Sequence, residues 1–291
     1  MSEEVMQRIT GHTELLGLIA YPIRHSHSPR MHNLAASKLG LDYAYLCFDV
    51  DHDNLEGAVA GLKALKVRGW NVSMPNKIKI LDYVDKLSPA VELIGASNTI
   101  VNDDGVLTAY NTDGVGSMEA LRFYGHDPKD ATITLIGAGG AGTAIACQAG
   151  LDGVKKLNIF NQKDDFWPRA EDNVEKVSRS GAEAVLMDLA DKDALAAALA
   201  ESSVLIDATN LGMGALEGQT SIPDISIIPR DMFVMHIVYS PEVTKLLADC
   251  KEAGIECANG MEMMYRQGAA SFKYWTGVDM PLDYVKEHLF N

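Results

Sequence analysis

The sequence predicts an α/β protein of two domains, an N-terminal α/β substrate domain followed by a Rossmann-type, doubly wound parallel sheet. Three observations predict it. Short apolar runs alternate with amphipathic stretches almost from end to end, the pattern of strands and helices laid in layers. Gly137-Ala138-Gly139-Gly140-Ala141-Gly142 follows the β-branched run Thr132-Ile133-Thr134-Leu135-Ile136 and opens a helical stretch, the context in which a glycine-rich turn meets a pyrophosphate. The 291 residues, 47% of them hydrophobic, supply core for two domains of ordinary size and argue against disorder.

Residues 15–20 read as a strand and 29–39 as a helix after a Ser-Pro start. Residues 43–50 read as a strand, 55–65 as a helix, 69–73 as a third strand and 77–84 as a helix opened by Lys77. This β-α-β-α-β alternation points to parallel strands. Residues 96–102 and 106–110 flank Asp103-Asp104-Gly105, a hairpin turn signal. A second series follows, with strands at 132–136 and 156–160 and helices at 142–150 and 169–179. The stretches 184–187, 194–200, 204–207 and 233–238 continue it, and 261–275 is helical. The expected domains are therefore 1–112 and 113–259, with 260–291 a helical tail able to pack back on the first. No repeat, low-complexity tract or Pro/Ser-rich linker interrupts the chain.

A net charge of −15 would repel a phosphate backbone, so nucleic acid is not an expected partner. Cys47, Cys147, Cys250 and Cys257 lack C-x-x-C spacing, which argues against zinc and fits reduced thiols. The start MSEEVMQRIT is polar and acidic with no apolar signal region, and no run approaches eighteen apolar residues. A cytoplasmic protein without a membrane partner is expected. His25, His27 and His32 crowd one segment, but no acidic residue lies close by in sequence and no metal is expected.

Asn71-Val72-Ser73-Met74-Pro75-Asn76-Lys77 and Asn111-Thr112-Asp113-Gly114 each frame one ionisable residue with small hydrogen-bonding ones. A lysine relays a proton from a reacting hydroxyl when burial or a neighbour tunes it, and an adjacent aspartate holds it in position. Lys77 follows a strand end, where ligands of open α/β sheets gather. Ser26 and Ser28, one residue apart before a helix, can aim two hydroxyls at one carboxylate, although Ser28 before Pro29 is equally a helix N-cap. At the end of the strand after the glycine turn stands Asn161-Gln162-Lys163-Asp164. A carboxylate there accepts from the ribose 2′-hydroxyl of NAD and repels a 2′-phosphate, so NAD is favoured. Lys163 keeps NADP open, and Asp164 with Asp165 can equally begin the next helix.

These segments, together with Gly95-Ala96-Ser97-Asn98-Thr99, Asn210-Leu211-Gly212-Met213, Val238-Tyr239-Ser240-Pro241 and Gly260-Met261 through Gln267, resemble the shikimate dehydrogenases, most closely the bacterial quinate/shikimate dehydrogenase branch. The resemblance spans residues 15 to 275 in family order. It implies reversible oxidation of the C3 hydroxyl of quinate or shikimate to the 3-dehydro acid, with a cleft that opens and closes. Lys77 and Asp113 would be the catalytic pair. Ser26 and Ser28 would hold the carboxylate, with Asn71, Ser73, Asn98, Tyr239 and Gln267 around the ring. Ala138, Gly139, Gly140 and Ala141 would meet the cofactor pyrophosphate, and Asn161, Gln162, Lys163 and Asp164 its adenosine. Asn210, Met213, Ile237, Val238, Tyr239, Ser240 and Gly260 would lie toward the nicotinamide. Two departures stand out: Asn161-Gln162-Lys163 replaces the family's Asn-Arg-Thr or Asn-Arg-Ser, in agreement with the NAD argument, and Tyr239-Ser240-Pro241 replaces Tyr-Asn-Pro. The rivals are a dehydrogenase of another cyclic hydroxy acid or a folate-like substrate, and a non-catalytic sensor of quinate or NAD. A homodimer is compatible with the chain, although no helix face carries a readable interface.

Overall fold

The computed structural model describes residues 9–165 and 167–290. Residues 1–8, on which the reading of an acidic start largely rests, lie outside the described residues. In chain order the elements are β1 (Glu14–Ala20), α1 (Ser28–Leu39), β2 (Tyr43–Asp49), α2 (Leu55–Ala64), β3 (Gly69–Val72), β4 (Lys86–Leu87), α3 (Pro89–Ile94), β5 (Thr99–Asp103), β6 (Val106–Tyr110) and α4 (Asp113–Phe123). They continue as β7 (Thr132–Ile136), α5 (Gly140–Leu151), β8 (Lys156–Asn161), α6 (Trp167–Arg179), β9 (Glu183–Asp188), α7 (Lys192–Glu201), β10 (Val204–Asp207), β11 (Phe233–His236), α8 (Lys245–Ala253), β12 (Cys257–Ala258), α9 (Met261–Thr276) and α10 (Leu282–His288).

The chain divides into two compact units. One joins the chain up to Thr112 with the chain from Gln267 onward, and the other is Asp113–Arg266. The second division falls inside α9, later than the 259/260 boundary expected from sequence. The packing explains it. Met263 rests on the core of the second unit, and Arg266 lies 4.7 Å over the Phe123 ring. Trp275, near the other end of the same helix, belongs to the core of the first.

The first unit is built on a six-stranded sheet in the order β2-β1-β3-β5-β6-β4. β1 runs parallel to β2 and β3, and the β5–β6 hairpin makes the sheet mixed. The hairpin turns on Asp104 and Gly105, both at positive φ (50° and 92°), the geometry of the two-residue turn that a right-handed strand twist favours. Leu55, Val59, Trp70, Ile80, Ile100 and Leu107 fill one face of the sheet, and Leu16, Leu18, Tyr45, Val101 and Trp275 the other. Gly69 is required here. A Cβ would collide with the Trp275 indole, whose N–H donates to the Ile100 carbonyl at 2.9 Å.

Residues 77–84 are not the α-helix expected from their pattern. Lys77 lies in a turn, and only Lys79–Tyr83 form a short 3-10 helix. One helical bond forms, from the Ile80 N–H to Asn76 O at 2.9 Å, but the carbonyl that would accept the next is engaged, because the Ser97 N–H donates to Lys77 O at 2.8 Å. The Leu81 N–H instead turns to Ile78 O at 3.1 Å, a three-residue closure. Ile78 and Ile80, both β-branched, add little helix propensity to resist this.

The second unit carries six strands in the order β12-β11-β10-β7-β8-β9, all parallel. Counted from β7, this is the doubly wound order 3-2-1-4-5-6, with its reversal between β7 and β10. Ligands gather at the carboxyl ends of strands flanking such a reversal. α4 packs tightly on α5 because Gly114 has no side chain; a Cβ would strike the Ala144 carbonyl. Among the described residues no helix is long and apolar enough to cross a membrane.

Candidate active site

In the first unit, the loop after β1 is folded by its own backbone and brings two serines to the start of α1. The Ser26 N–H donates to Ile23 O at 3.0 Å, and the Ser28 N–H donates to Ser26 Oγ at 3.2 Å. Asp49, at the end of β2, ties this loop down through Arg24 and the Ile23 N–H. Ser28 is not the N-cap considered from sequence. His27 holds that position, makes no side-chain cap bond, and Ser28 is the first helical residue. The Ser28 hydroxyl lies beside the Tyr45 phenol and Ser26 beside the Cys47 thiol.

Tyr45 links the serines to a buried polar network. Burial raises its pKa well above the ordinary tyrosine value, so the phenol stays protonated and donates to Asn71 Oδ1 at 2.7 Å. The Asn71 amide donates to Asn98 O at 2.9 Å and to Thr99 Oγ1 and Ser271 Oγ, both at 3.1 Å. Asn98 grips the Thr112 main chain and hydroxyl: its Oδ1 accepts from Thr112 N at 2.8 Å and its Nδ2 donates to Thr112 Oγ1 at 2.9 Å. Ser271 donates to the Gln267 carbonyl at 3.1 Å, which ties Gln267 to the same cluster. Ser73 lies half-buried at the end of β3, its N–H bonded to Ile19 O at 3.0 Å. Ser26, Ser28, Asn71, Asn98 and Gln267 thus belong to one connected region. Tyr45, Thr99, Thr112 and Ser271 complete it, and the sequence reading assigned none of them a role. The signal for Thr99 and Thr112 was present, since each stands inside a motif already singled out.

Lys77 is half-buried in the turn described above. Asp113 directly follows the Thr112 that Asn98 holds, and opens α4, where an acidic group is favoured by the helix dipole.

In the second unit the glycine turn follows β7. Gly137 has φ +98°, and a Cβ there would press on Ala208 and Thr209 after β10, so the two strands that flank the reversal approach through it. A Cβ on Gly142 would overlap the Gly137 carbonyl. Gly139 and Gly140 differ: nothing lies within 4 Å of their Cβ positions. Their lack of side chains serves no internal packing and leaves the helix N-terminus open to a ligand. Gly139, as N-cap of α5, has no side chain to occupy the first N–H groups, and the first turn contains no acidic residue. The Ala138 N–H donates to Asn161 Oδ1 at 3.1 Å, which fixes the turn to the end of β8. These features fit a dinucleotide pyrophosphate. Gln162, Lys163 and Asp164 are exposed. Lys163 pairs with Asp188 at 3.6 Å and lies 5.4 Å over the Trp167 ring.

Gly260 closes against β11, where a Cβ would meet the Ile237 carbonyl, and its N–H donates to Val238 O at 3.1 Å. Asn210, Met213, Tyr239 and Ser240 are exposed, Ile237 is half-buried and Val238 buried. Asp207 and His236, at the ends of β10 and β11, were not anticipated. Asp207 accepts from Ser221 Oγ and from Thr209 N at 2.9 Å, while His236 Nδ1 meets Thr244 Oγ1 at 2.9 Å. Burial holds the His236 imidazole below its ordinary pKa, opposed by the Asp207 carboxylate. Their signal was a polar residue ending each apolar strand. Among the described residues no group of three or more His, Cys, Asp or Glu is arranged to hold a metal ion.

Comparison with known proteins gives a consistent answer. The model of the shikimate dehydrogenase substrate binding domain matches residues 18–100, and that of the shikimate 5′-dehydrogenase C-terminal domain matches residues 260–290. A shikimate dehydrogenase (NADP(+)) of Listeria monocytogenes serotype 4b is 52% identical over 291 residues, 100% of both chains. A quinate/shikimate dehydrogenase of Escherichia coli O139:H28 is 46% identical over 280 residues, 96% of this chain and 97% of that one. The crystal structure of shikimate 5-dehydrogenase from Listeria monocytogenes in complex with shikimate and NAD superposes with a TM-score of 0.95 at 53% identity, covering 97% of this chain and 98% of the other. With both halves of the fold, the glycine turn and full-length identity in agreement, this chain belongs to the shikimate dehydrogenase family of oxidoreductases.

Proposed function

We propose that the chain catalyses reversible, NAD(P)-dependent oxidation of the C3 hydroxyl of shikimate or quinate to the corresponding 3-dehydro acid. The observation that carries this reading is the presence, in one chain of this family, of a buried polar cradle around Asn71 and a glycine turn left open at Gly139 and Gly140. Ser26 and Ser28 receive the substrate carboxylate, an anchor remote from the reacting carbon that fixes orientation. Asn71, Ser73, Asn98, Tyr239 and Gln267 surround the ring. The network already satisfies most of the Asn71 and Asn98 amides, so these two chiefly hold the wall rigid. Lys77 takes the hydroxyl proton and Asp113 keeps it in position.

A nicotinamide cofactor supplies the hydride acceptor. Ala138, Gly139, Gly140 and Ala141 hold its pyrophosphate, and Asn161, Gln162, Lys163 and Asp164 its adenosine side. Asn210, Met213, Ile237, Val238, Tyr239, Ser240 and Gly260 hold the nicotinamide side. NAD is the favoured form. The exposed Asp164 repels a 2′-phosphate, and Lys163 is engaged with Asp188 and Trp167. Listeria monocytogenes supplies both a relative named for NADP(+) and a structure holding NAD, so the reading of NAD rests on the local side chains of this chain alone. The E. coli relative names both acids, which supports testing both. Free thiols at Cys47, Cys147, Cys250 and Cys257 support a cytoplasmic setting.

Initial rates on shikimate and quinate, each with NAD and NADP, test the proposal. Turnover on at least one acid, faster with NAD, is expected. NADP-only turnover would overturn the cofactor preference and keep the chemistry. Silence in all four assays would overturn the chemistry and favour the sensor.

A further inference from the structure

Two buried polar residues end neighbouring strands of the second unit, and the proposed chemistry makes no direct use of either. Asp207 closes β10 and His236 closes β11, paired in register across the sheet and almost wholly buried. Burial of such groups is costly unless they are bonded. Asp207 accepts from the Thr209 N–H at 2.9 Å and from the Ser221 hydroxyl, so one carboxylate ties together the start and the end of residues 209–221. His236 Nε2 lies 4.0 Å from Asp207 Oδ2, too far for a hydrogen bond, and has no partner among the described residues. The side-chain bond that His236 does make joins Nδ1 to Thr244 Oγ1, at 2.9 Å.

That bond takes Thr244 away from the usual work of its position. Thr244 is the N-cap of α8, where a threonine hydroxyl ordinarily accepts from the first helical N–H groups, yet its side chain makes no such bond. His236 holds the hydroxyl instead, and the carbon side of Thr244 faces Gly212. Gly212 has φ +84°, and a Cβ on it would come within 3.0 Å of Thr244 Cβ. Gly212 is thus seated on Thr244, inside the loop whose two ends Asp207 joins. Around that seat the loop turns on itself. The Met213 N–H donates to Asn210 O at 3.2 Å, and the Gly212 N–H donates to Leu216 O at 2.9 Å. Asn210 and Met213, exposed on either side of Gly212, are the residues assigned above to the nicotinamide side.

We propose that His236 is a positioning residue for the nicotinamide cofactor. Through Thr244 it fixes the seat of Gly212, and so holds Asn210 and Met213 in place to meet the cofactor. Burial lowers its pKa against the pull of the Asp207 carboxylate, so a neutral ring makes this link at neutral pH. Being buried, the imidazole acts through Thr244 rather than by touching a ligand, and the effect expected is on cofactor affinity. This inference rests on the dehydrogenase reading of Asn210 and Met213.

Thr244→Val, which replaces the hydroxyl by a methyl of similar size, tests the link in the full-length protein beside His236→Ala and His236→Asn. Titration calorimetry with NAD, or with NADP where the wild type turns that over instead, is read together with steady-state kinetics. Thr244→Val and His236→Ala should each raise the cofactor Kd and KM roughly fivefold, as loss of one hydrogen bond would, with KM for the acid unchanged. The double variant should bind no more weakly than the weaker single, because both break one link. His236→Asn, which keeps a polar atom near the place of Nδ1, should recover most of the affinity. A cluster that only stabilises the fold would lower the melting temperature and leave the cofactor Kd as it was. That result, equal losses for acid and cofactor, or additive losses in the double variant would each overturn the proposal. Should His236→Ala fail to fold, Thr244→Val decides alone. Silence of the wild type with both acids and both cofactors would overturn the dehydrogenase reading and this inference with it, whereas an unchanged Kd beside an active wild type overturns this inference only.

Discussion

The Lys77 carbonyl accepts from Ser97 N, a main-chain bond that truncation of the side chain leaves in place. Lys77→Ala therefore keeps that turn anchored, and a change in turnover can be read as chemistry. We expect kcat to fall by roughly two to four orders of magnitude with a much smaller change in KM for the acid, as steady-state kinetics would check. Asp164→Ala should raise the NADP-to-NAD ratio of kcat/KM, because it removes the charge that opposes a 2′-phosphate; an unchanged ratio would remove Asp164 from cofactor choice. His32 gives a prediction about acid. Its ring stacks on Tyr45 at 4.4 Å, and neither ring nitrogen has a hydrogen-bond partner among the described residues. Burial lowers its pKa from 6.5 to about 3. Between those two values the unfolded chain binds a proton that the folded chain refuses, so stability falls as pH drops through 6.5 and stops falling below about 3. At pH 5 this group alone costs about 2 kcal/mol relative to pH 7.5. Urea midpoints at the two pH values, for the wild type and His32→Phe, should show the difference shrink in the variant.

At the scale of the element, the glycine turn after β7 separates two roles that one motif conflates. Gly142→Ala places a methyl on the Gly137 carbonyl and should cost about 1–3 kcal/mol of stability. Gly139→Ala adds a methyl to open space in extended backbone, so its melting temperature should hold. Its NAD dissociation constant should nonetheless rise about tenfold, or about 1.4 kcal/mol. Melting curves and titration calorimetry on the pair would distinguish the roles. The same element was plain in the sequence because glycine spacing, a β-branched strand and a helix coincide there. The helix α4 was not, because Gly114 and Gly116 depress helix propensity in its first turns; the close seat against α5 selects it instead. The stretch after Lys77 misled for a related reason. A partner from Ser97, twenty positions on, overrides a local pattern that looks helical. In the cradle, serines and asparagines at loop and strand ends were legible, whereas Ser271 meets Asn71 from 200 positions away and no local pattern announces it.

Across the whole molecule, the alternation of strands and helices and the hairpin at Asp103-Asp104-Gly105 were legible, but the strand order of each sheet and the discontinuity of the first unit were not. Its final helices return to close the face over Gly69, where Trp275 fills the space and donates to Ile100 O. Trp275→Ala should cost about 3–5 kcal/mol through a cavity and an unpaired carbonyl. Hydrogen exchange on the full chain should show protection lost in the first unit and largely kept in Asp113–Arg266. Uniform loss in both would show that the units do not open separately.

That late closure bears on how the protein is born. Arg68 donates to the Trp275 carbonyl across 207 positions, so the ribosome finishes one partner long before the other. At about 5–20 residues per second the wait is roughly 10–40 s. The usual N-to-C order of maturation is then inverted. The middle of the chain can settle during translation, while the sheet made first travels with an oily face uncovered, exposed to chaperones and to neighbouring nascent chains, until the last helices arrive.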